Sequence, residues 1–377
     1  MPLHSSRREF LQRSTLGLGA LAFLPYCTSR SNEATDSNPE APTEGKAESG
    51  GTYTNPVYAG QFPDPFVLRH EGTYYAFATT GQSQKKDGRI FSILTSKNLY
   101  DWEEVGGALT PPAGSEGADF WAPEVVFVNG KFYMYYSRGG GAINANVGHR
   151  LHVATSDKPA GPYEEVALMD VPESKFTIDA HPFQDTDGSW YLFYARDFID
   201  SNDGYYPGTG LVVDRLIDMT KLANESRTVM RARHPWTLFE ANRRMPIYDN
   251  KVFAQWHTLE GPFMRKHEGK YYCFYSGANF LTDRYGVDFV VADSILGPYS
   301  DAGAEKGARV LHSVPGKVRG PGHHSHAMSP DGKTEVLVYH AWDEAMKERQ
   351  LCIDLLLWTP EGPRCQGPTY TPQPRLT

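Results

Sequence analysis

The sequence predicts an all-β fold, a five-bladed β-propeller, on three observations. A turn glycine followed by an alternating aromatic strand recurs five times along the chain. The spacing between recurrences suits one four-stranded blade each. No helical run is long enough to argue otherwise. Aromatics make up 13% of the 377 residues, with 22 Tyr, 19 Phe and 7 Trp, and they are interleaved with 36 Gly and 27 Pro. Aromatic strands between Gly and Pro turns are what an all-β chain looks like in sequence. Two packed β-sandwich domains are the alternative architecture.

In order, the repeats are Gly72 before Thr73-Tyr74-Tyr75-Ala76-Phe77, Gly130 before Lys131-Phe132-Tyr133-Met134-Tyr135, and Gly188 before Ser189-Trp190-Tyr191-Leu192-Phe193. Gly269 before Lys270-Tyr271-Tyr272-Cys273-Phe274 and Gly332 before Lys333-Thr334-Glu335-Val336-Leu337 complete the set. The glycines lie 58, 58, 81 and 63 residues apart. Each follows Glu, Asn or Asp, which makes the pair a hairpin turn. A third strand and the turn to a fourth follow at Leu94–Trp102, Val153–Tyr163 and Val291–Tyr299. The long third interval predicts an insertion near 197–250 made of long loops, expected to close one end of the channel.

Residues 1–27 read as an export signal rather than as fold. Ser6-Arg7-Arg8-Glu9-Phe10-Leu11 resembles a twin-arginine signature, and the apolar run Leu16–Tyr26 is too short to span a bilayer comfortably. Leu24 stands three residues before Cys27, as in a bacterial lipobox, which implies a lipid tether to the membrane. Pro25 and Tyr26 depart from the small residues of that motif, and signal cleavage nearby is the alternative. Either outcome places the mature protein outside the cytoplasm, in the periplasm, at the cell surface or secreted. Residues 28–52 are polar and rich in Pro, Gly and Ser, a flexible tether. Residues 53–377 are then the catalytic propeller, expected to act as a monomer.

Charge and cysteines narrow the function. A formal net charge of −8 excludes a nucleic-acid partner, which needs a basic surface, and is compatible with a neutral substrate. Aromatic richness suits sugar stacking, although most of these rings are expected to pack between sheets. Cys273, Cys352 and Cys365 show no zinc spacing, and a Cys352–Cys365 bridge stays open.

The innermost strand of a propeller blade lines the central channel. Counting back eight or nine residues from each turn glycine reaches Asp64, Asp179, Glu260 and His323, while the second repeat has Trp121 with Glu124 close behind. Four of five repeats thus bring a titratable group to one expected position, three of them carboxylates. Carboxylates forced together raise one another's pKa, so that a protonated acid can face an ionised base, the equipment of glycoside hydrolysis. Taken singly, Asp64 before a proline reads as a turn residue and Glu260 before Gly-Pro as a solvated loop. His323, in a His-rich run, reads as a structural or a metal-site histidine.

Phe62-Pro63-Asp64-Pro65, Phe120-Trp121-Ala122-Pro123-Glu124-Val125, Ile178-Asp179-Ala180-His181-Pro182-Phe183, Glu260-Gly261-Pro262-Phe263 and Gly320-Pro321-Gly322-His323 resemble the ordered motifs of glycoside hydrolase family 43 over about residues 55–360. The resemblance implies a five-bladed propeller and inverting hydrolysis of α-L-arabinofuranosides or β-D-xylosides in oligo- and polysaccharides of the plant cell wall. It implies that Asp64 is the general base, Glu260 the general acid, and Asp179 the residue that orients Glu260 and raises its pKa. His323 matches an axial His that in many members helps hold a calcium ion or a water cluster. A neutral His with waters is a thin site for an oxygen-loving cation, so no cofactor is required. Ala180 and His181 depart from the family pattern and bear on the substrate subsite. Trp121, His181 and Arg349 are the candidate substrate contacts, with plain packing the alternative for Trp121 and a surface ion pair for Arg349. Competing readings are a non-catalytic sugar-binding propeller and a retaining five-bladed hydrolase acting on fructans.

Overall fold

The computed structural model describes residues 51–140 and 147–376. The export signal, Cys27 and the tether up to residue 50 lie outside the described residues. The tether expected to run to residue 52 ends earlier, because Thr52–Tyr53 already pairs with Gln373–Pro374. Among the described residues the chain is all-β, with helix confined to short 3-10 turns, and no helix is long and apolar enough to cross a membrane.

The sheets stand in a propeller arrangement. A first sheet pairs four strands in chain order from Phe66–His70 to Glu103–Leu109, and a second does so from Asp119–Val128 to Glu164–Met169. The third begins with Thr177–Gln184, the fourth with Leu259–His267, and the fifth with Arg319–Met328. These five opening strands are the inner ones. Each touches the inner strand of the next sheet, and Phe66–His70 touches Arg319–Met328.

Three inner hairpins close through two left-handed residues, Glu71-Gly72, Asn129-Gly130 and Glu268-Gly269. That geometry matches the twist of the strands it joins, and glycine adopts it without a Cβ penalty.

The aromatic runs are buried on both faces, so alternate residues serve alternate interfaces. On Lys131–Gly139, Met134 and Tyr136 pack toward the first sheet with Phe77 and Phe91, while Tyr135 packs toward the third with Leu192 and Tyr194. Comparable apolar clusters fill the spaces between third and fourth, fourth and fifth, and fifth and first sheets. Cys273, Cys352 and Cys365 are free thiols, so no Cys352–Cys365 bridge forms.

The insertion differs from the expected long loops. It adds the antiparallel hairpin Leu238–Met245 and Lys251–His257 to the third sheet, as well as two short strands, Lys221–Leu222 and Arg227–Met230. Asp249 and Asn250, both left-handed, turn that hairpin. The strands were hidden in sequence because an edge hairpin exposed on one side needs no continuous apolar run.

Ser137 is fully buried and accepts a hydrogen bond from the Asp179 N–H at 3.0 Å, tying the second sheet to the third. Ser137→Ala is expected to cost about 1–3 kcal/mol by leaving that amide unsatisfied, read as a lower urea midpoint with an unchanged slope.

Candidate active site

Four of the five inner strands begin with the same irregularity, and it presents the candidate residues. The ladder pairs Trp121 with Ser137, Ile178 with Ala195, Glu260 with Ser276 and Gly322 with His340, then slips and resumes three residues on. The residue after each pair is left-handed: Ala122, Asp179, Gly261 and His323, with Asp64 their counterpart in the first sheet. Such backbone costs a non-glycine residue about 1–2 kcal/mol. The slip also removes one position from the ladder, which is why Pro65, Pro123 and Pro262 are accepted there.

This register corrects the equivalence read from the sequence. Glu260 is not the counterpart of Asp64, Asp179 and His323; Gly261 is, and Glu260 corresponds to Trp121. Counting from the turn glycines missed the offset because the hairpins differ. Residues 185–189 and 329–334 are longer connections than the two-residue turns elsewhere.

The amide of each left-handed residue is captured by the preceding sheet. Ala122 N–H donates to Thr79 Oγ1 (2.8 Å), Asp179 N–H to Ser137 Oγ, and His323 N–H to Ser276 Oγ (2.8 Å). Asp64 N–H donates to His340 Nδ1 (3.1 Å), from the first sheet back to the fifth. At the third sheet the corresponding residue is Ala195, which has no acceptor. There the Gly261 N–H donates instead to Asp179 Oδ2 at 2.9 Å. One missing hydroxyl thus leaves an amide that fixes the Asp179 carboxylate against the backbone of Glu260-Gly261.

Asp64, Asp179, Glu260, His323 and Arg349 are brought together. Arg349 is buried rather than a surface ion pair, and its Nη1 lies 2.7 Å from Asp64 Oδ1. Burial alone would raise the Asp64 pKa, but the Arg349 guanidinium outweighs it, with His323 and His340 beside it, and holds the carboxyl well below the usual range. His323 and His340 are each 3.5 Å from Asp64 Oδ1. Burial pushes both imidazoles below their ordinary value. His340 Nδ1 also accepts the Asp64 amide, so both rings are neutral near pH 7 and the countercharge is Arg349's.

Asp179 is set the other way. Burial, and then the neighbouring Glu260 carboxylate, push its pKa well up, with the Gly261 N–H opposing. The Tyr285 hydroxyl donates to Glu260 Oε1 at 2.6 Å. Tyr285 reaches it because residue 322 is glycine: a Cβ there would stand 2.4 Å from the Tyr285 ring.

The remaining candidates make other contacts. Trp121 stacks on His149 with ring centres 3.4 Å apart. His181 joins a different buried cluster: its Nδ1 meets Glu124 Oε2 at 2.7 Å and its ring lies 4.3 Å from Phe263. As placed, it bonds Glu124 and packs on Phe263. Around His323 the protein donors are Asp64, already held by Arg349, and a second imidazole. Calcium takes six to eight oxygens, and these residues do not supply that shell. Sequence reasoning missed Tyr285, His340 and Thr79. Only Thr79 left a signal, since it stands seven residues after its turn glycine, as Ser137 and Ser276 do.

The profile of glycosyl hydrolases family 43 matches residues 53–363. The chain belongs to that family. It is similar to an extracellular exo-α-(1→5)-L-arabinofuranosidase of Streptomyces avermitilis, at 26% identity over 89% of this chain and 63% of that protein. The chain therefore spans less than two thirds of that relative's length. It is 25% identical to a β-D-galactofuranosidase of Aspergillus niger over 91% of this chain and 92% of the other. A solved thermostable family-43 glycoside hydrolase superposes with a TM-score of 0.70 at 33% identity, covering 86% of this chain and 99% of that one.

Two substitutions in this family 43 member test the charge at Asp64 and the hold on Asp179. Arg349→Met removes the charge that opposes burial, so the Asp64 pKa rises. The acid limb of the kcat/KM profile should then move up by about 1–3 pH units, measured across pH 3–8. Ala195→Ser offers Gly261 N–H a competing acceptor and releases Asp179. We expect kcat to fall about 3- to 10-fold with KM within about twofold, the worth of one hydrogen bond, in steady-state assays.

Proposed function

We propose that this chain is an exported, inverting glycosidase whose substrates are α-L-arabinofuranosides or β-D-xylosides of plant cell-wall polysaccharide. We further propose that its five sheets are five blades of one closed ring spanning residues 53–377. The blade count is supported by the amide contacts that pass from sheet to sheet and return from the first to the fifth. Export rests on the N-terminal signal and accords with the extracellular relative; a lipid on Cys27 would make the protein a membrane-tethered one.

The observation that carries the catalytic reading is the opposite setting of neighbouring buried carboxyls. Asp64, held ionised by Arg349, suits the general base. It takes a proton from water as the water oxygen attacks the anomeric carbon. Glu260 suits the general acid, giving a proton to the leaving oxygen as the glycosidic C–O bond breaks. Asp179 and Glu260 are neighbouring carboxyls that cannot cheaply both ionise, so this pair holds a proton more readily than Asp64 does. Trp121 is a wall on which a pentose ring could stack. The relatives' names support arabinofuranosides first, and a β-D-galactofuranoside belongs in the same assay panel.

Glu260→Gln should lower kcat on an aryl pentoside by at least about 10²-fold, the contribution of a positioned acid, while a saccharide still binds. Normal turnover by that variant would sink the assignment. NMR of the first-released sugar should show the inverted anomer; the retained anomer would point instead to a nucleophilic carboxylate.

A further inference from the structure

Beyond the end of the third sheet lies an open cleft of ≈ 690 Å³. Its floor is the end of strand Trp190–Phe198, and Arg196 there pairs with Thr177, two residues before Asp179. The inserted hairpin supplies one wall through Tyr248 and Lys251, and Arg231 supplies another.

The floor holds a buried polar group without a protein partner. Asp197 is 6% exposed. The Tyr248 hydroxyl donates to its Oδ2 at 2.8 Å, but among the described residues its Oδ1 meets no donor. The Nε–H groups of Arg196 and Arg231 likewise meet no acceptor there. Both guanidinium groups lie against the Phe198 ring, 4.2 and 4.8 Å from its centre. Arg231 Nη2 is held by Asp200 at 3.1 Å, but a carboxyl oxygen lacking a donor beside two Nε–H groups lacking acceptors is the complement of a hydroxyl-bearing ring, since a sugar hydroxyl both gives and takes a hydrogen bond. Burial pushes the Asp197 carboxyl up to about 7, against Tyr248, Arg243 and Arg196, so near neutrality it is protonated about half the time and can give as well as take a hydrogen bond.

We propose that this cleft is a second saccharide subsite that holds a neutral sugar unit of the substrate remote from the cleaved bond, read by Asp197 with Arg196 and Arg231. The proposal rests on the glycosidase reading for its substrate, and on the cleft alone for its chemistry. It makes the inserted hairpin a selector of chain length or branching.

The test compares substrates that do and do not reach the cleft. Asp197→Ala should lower kcat/KM about tenfold on arabino- or xylo-oligosaccharides of three to five units, mostly through KM, the cost of one hydrogen bond to a buried polar group. The same variant should keep its aryl-pentoside kinetics within about twofold. Tyr248→Phe, which loses only the hydroxyl, should show the same selectivity more weakly and covers the case in which Asp197→Ala does not fold. In a Glu260→Gln background, calorimetry should show affinity rising with oligosaccharide length, and that rise should vanish when Asp197→Ala is added. Equal losses on short and long substrates, or binding that ignores length, would overturn the subsite and mark the cleft as solvent. If the wild type hydrolyses no aryl pentoside or oligosaccharide, the glycosidase reading falls, and the calorimetric comparison still decides the cleft.

Discussion

A buried backbone N–H must find an acceptor, and in this protein that requirement organises both fold and site. At the entrance of each inner strand one residue turns left-handed, in four of them within a bulge, which removes that residue's amide from its own ladder. The acceptor comes from the second strand of the sheet before it: Thr79, Ser137, Ser276 or His340. The bond that repairs the bulge therefore also joins neighbouring sheets. The bulge likewise re-aims the side chains of Asp64, Asp179 and His323, which a regular strand would leave in the pleat.

The third sheet breaks the pattern by a single atom. With Ala195 where the others carry a polar side chain, the Gly261 amide is left to the Asp179 carboxylate. A structural repair and the orientation of a candidate functional carboxylate are here the same hydrogen bond. Removing a hydroxyl from a repeat is a small sequence change, yet in a buried setting it reassigns a donor whose desolvation costs about 1–3 kcal/mol if unmet.

Burial sets the chemistry as firmly as the backbone does. Asp64 and Asp179 are both withdrawn from water, and burial pushes each toward the neutral form. Arg349 reverses that push at Asp64, whereas the Glu260 carboxylate reinforces it at Asp179. The neighbouring histidines, kept neutral by burial, leave the two settings distinct. Such a group of partly compensated charges does not stabilise the fold. The apolar clusters between every pair of neighbouring sheets hold it in place.

Much of this was legible in the sequence. The Gly-aromatic recurrence comes directly from covalent chemistry: two-residue turns need left-handed residues, and strands buried on both faces need continuous apolar side chains. Asp64, Asp179, Glu260 and His323 could be found by counting, because the distance back from the turn glycine varies by only one residue. That variation of one residue was also the limit of counting, and it hid the pairing of Glu260 with Trp121 in the register. His181 looked like a channel residue beside Asp179, but only the packed structure gave it Glu124 as a partner. Arg349 and His340 reach Asp64 across a sheet boundary, and Tyr285 reaches Glu260 from the entrance of the third strand of its own sheet, all from positions that no local pattern marks. The sequence by itself determined the repeat and the residue types at the strand entrances, since both are local demands of turns and strands. The tertiary structure alone decided which acceptor meets each freed amide and which charge faces each carboxylate, because those partners are distant in the chain and meet only when the sheets pack.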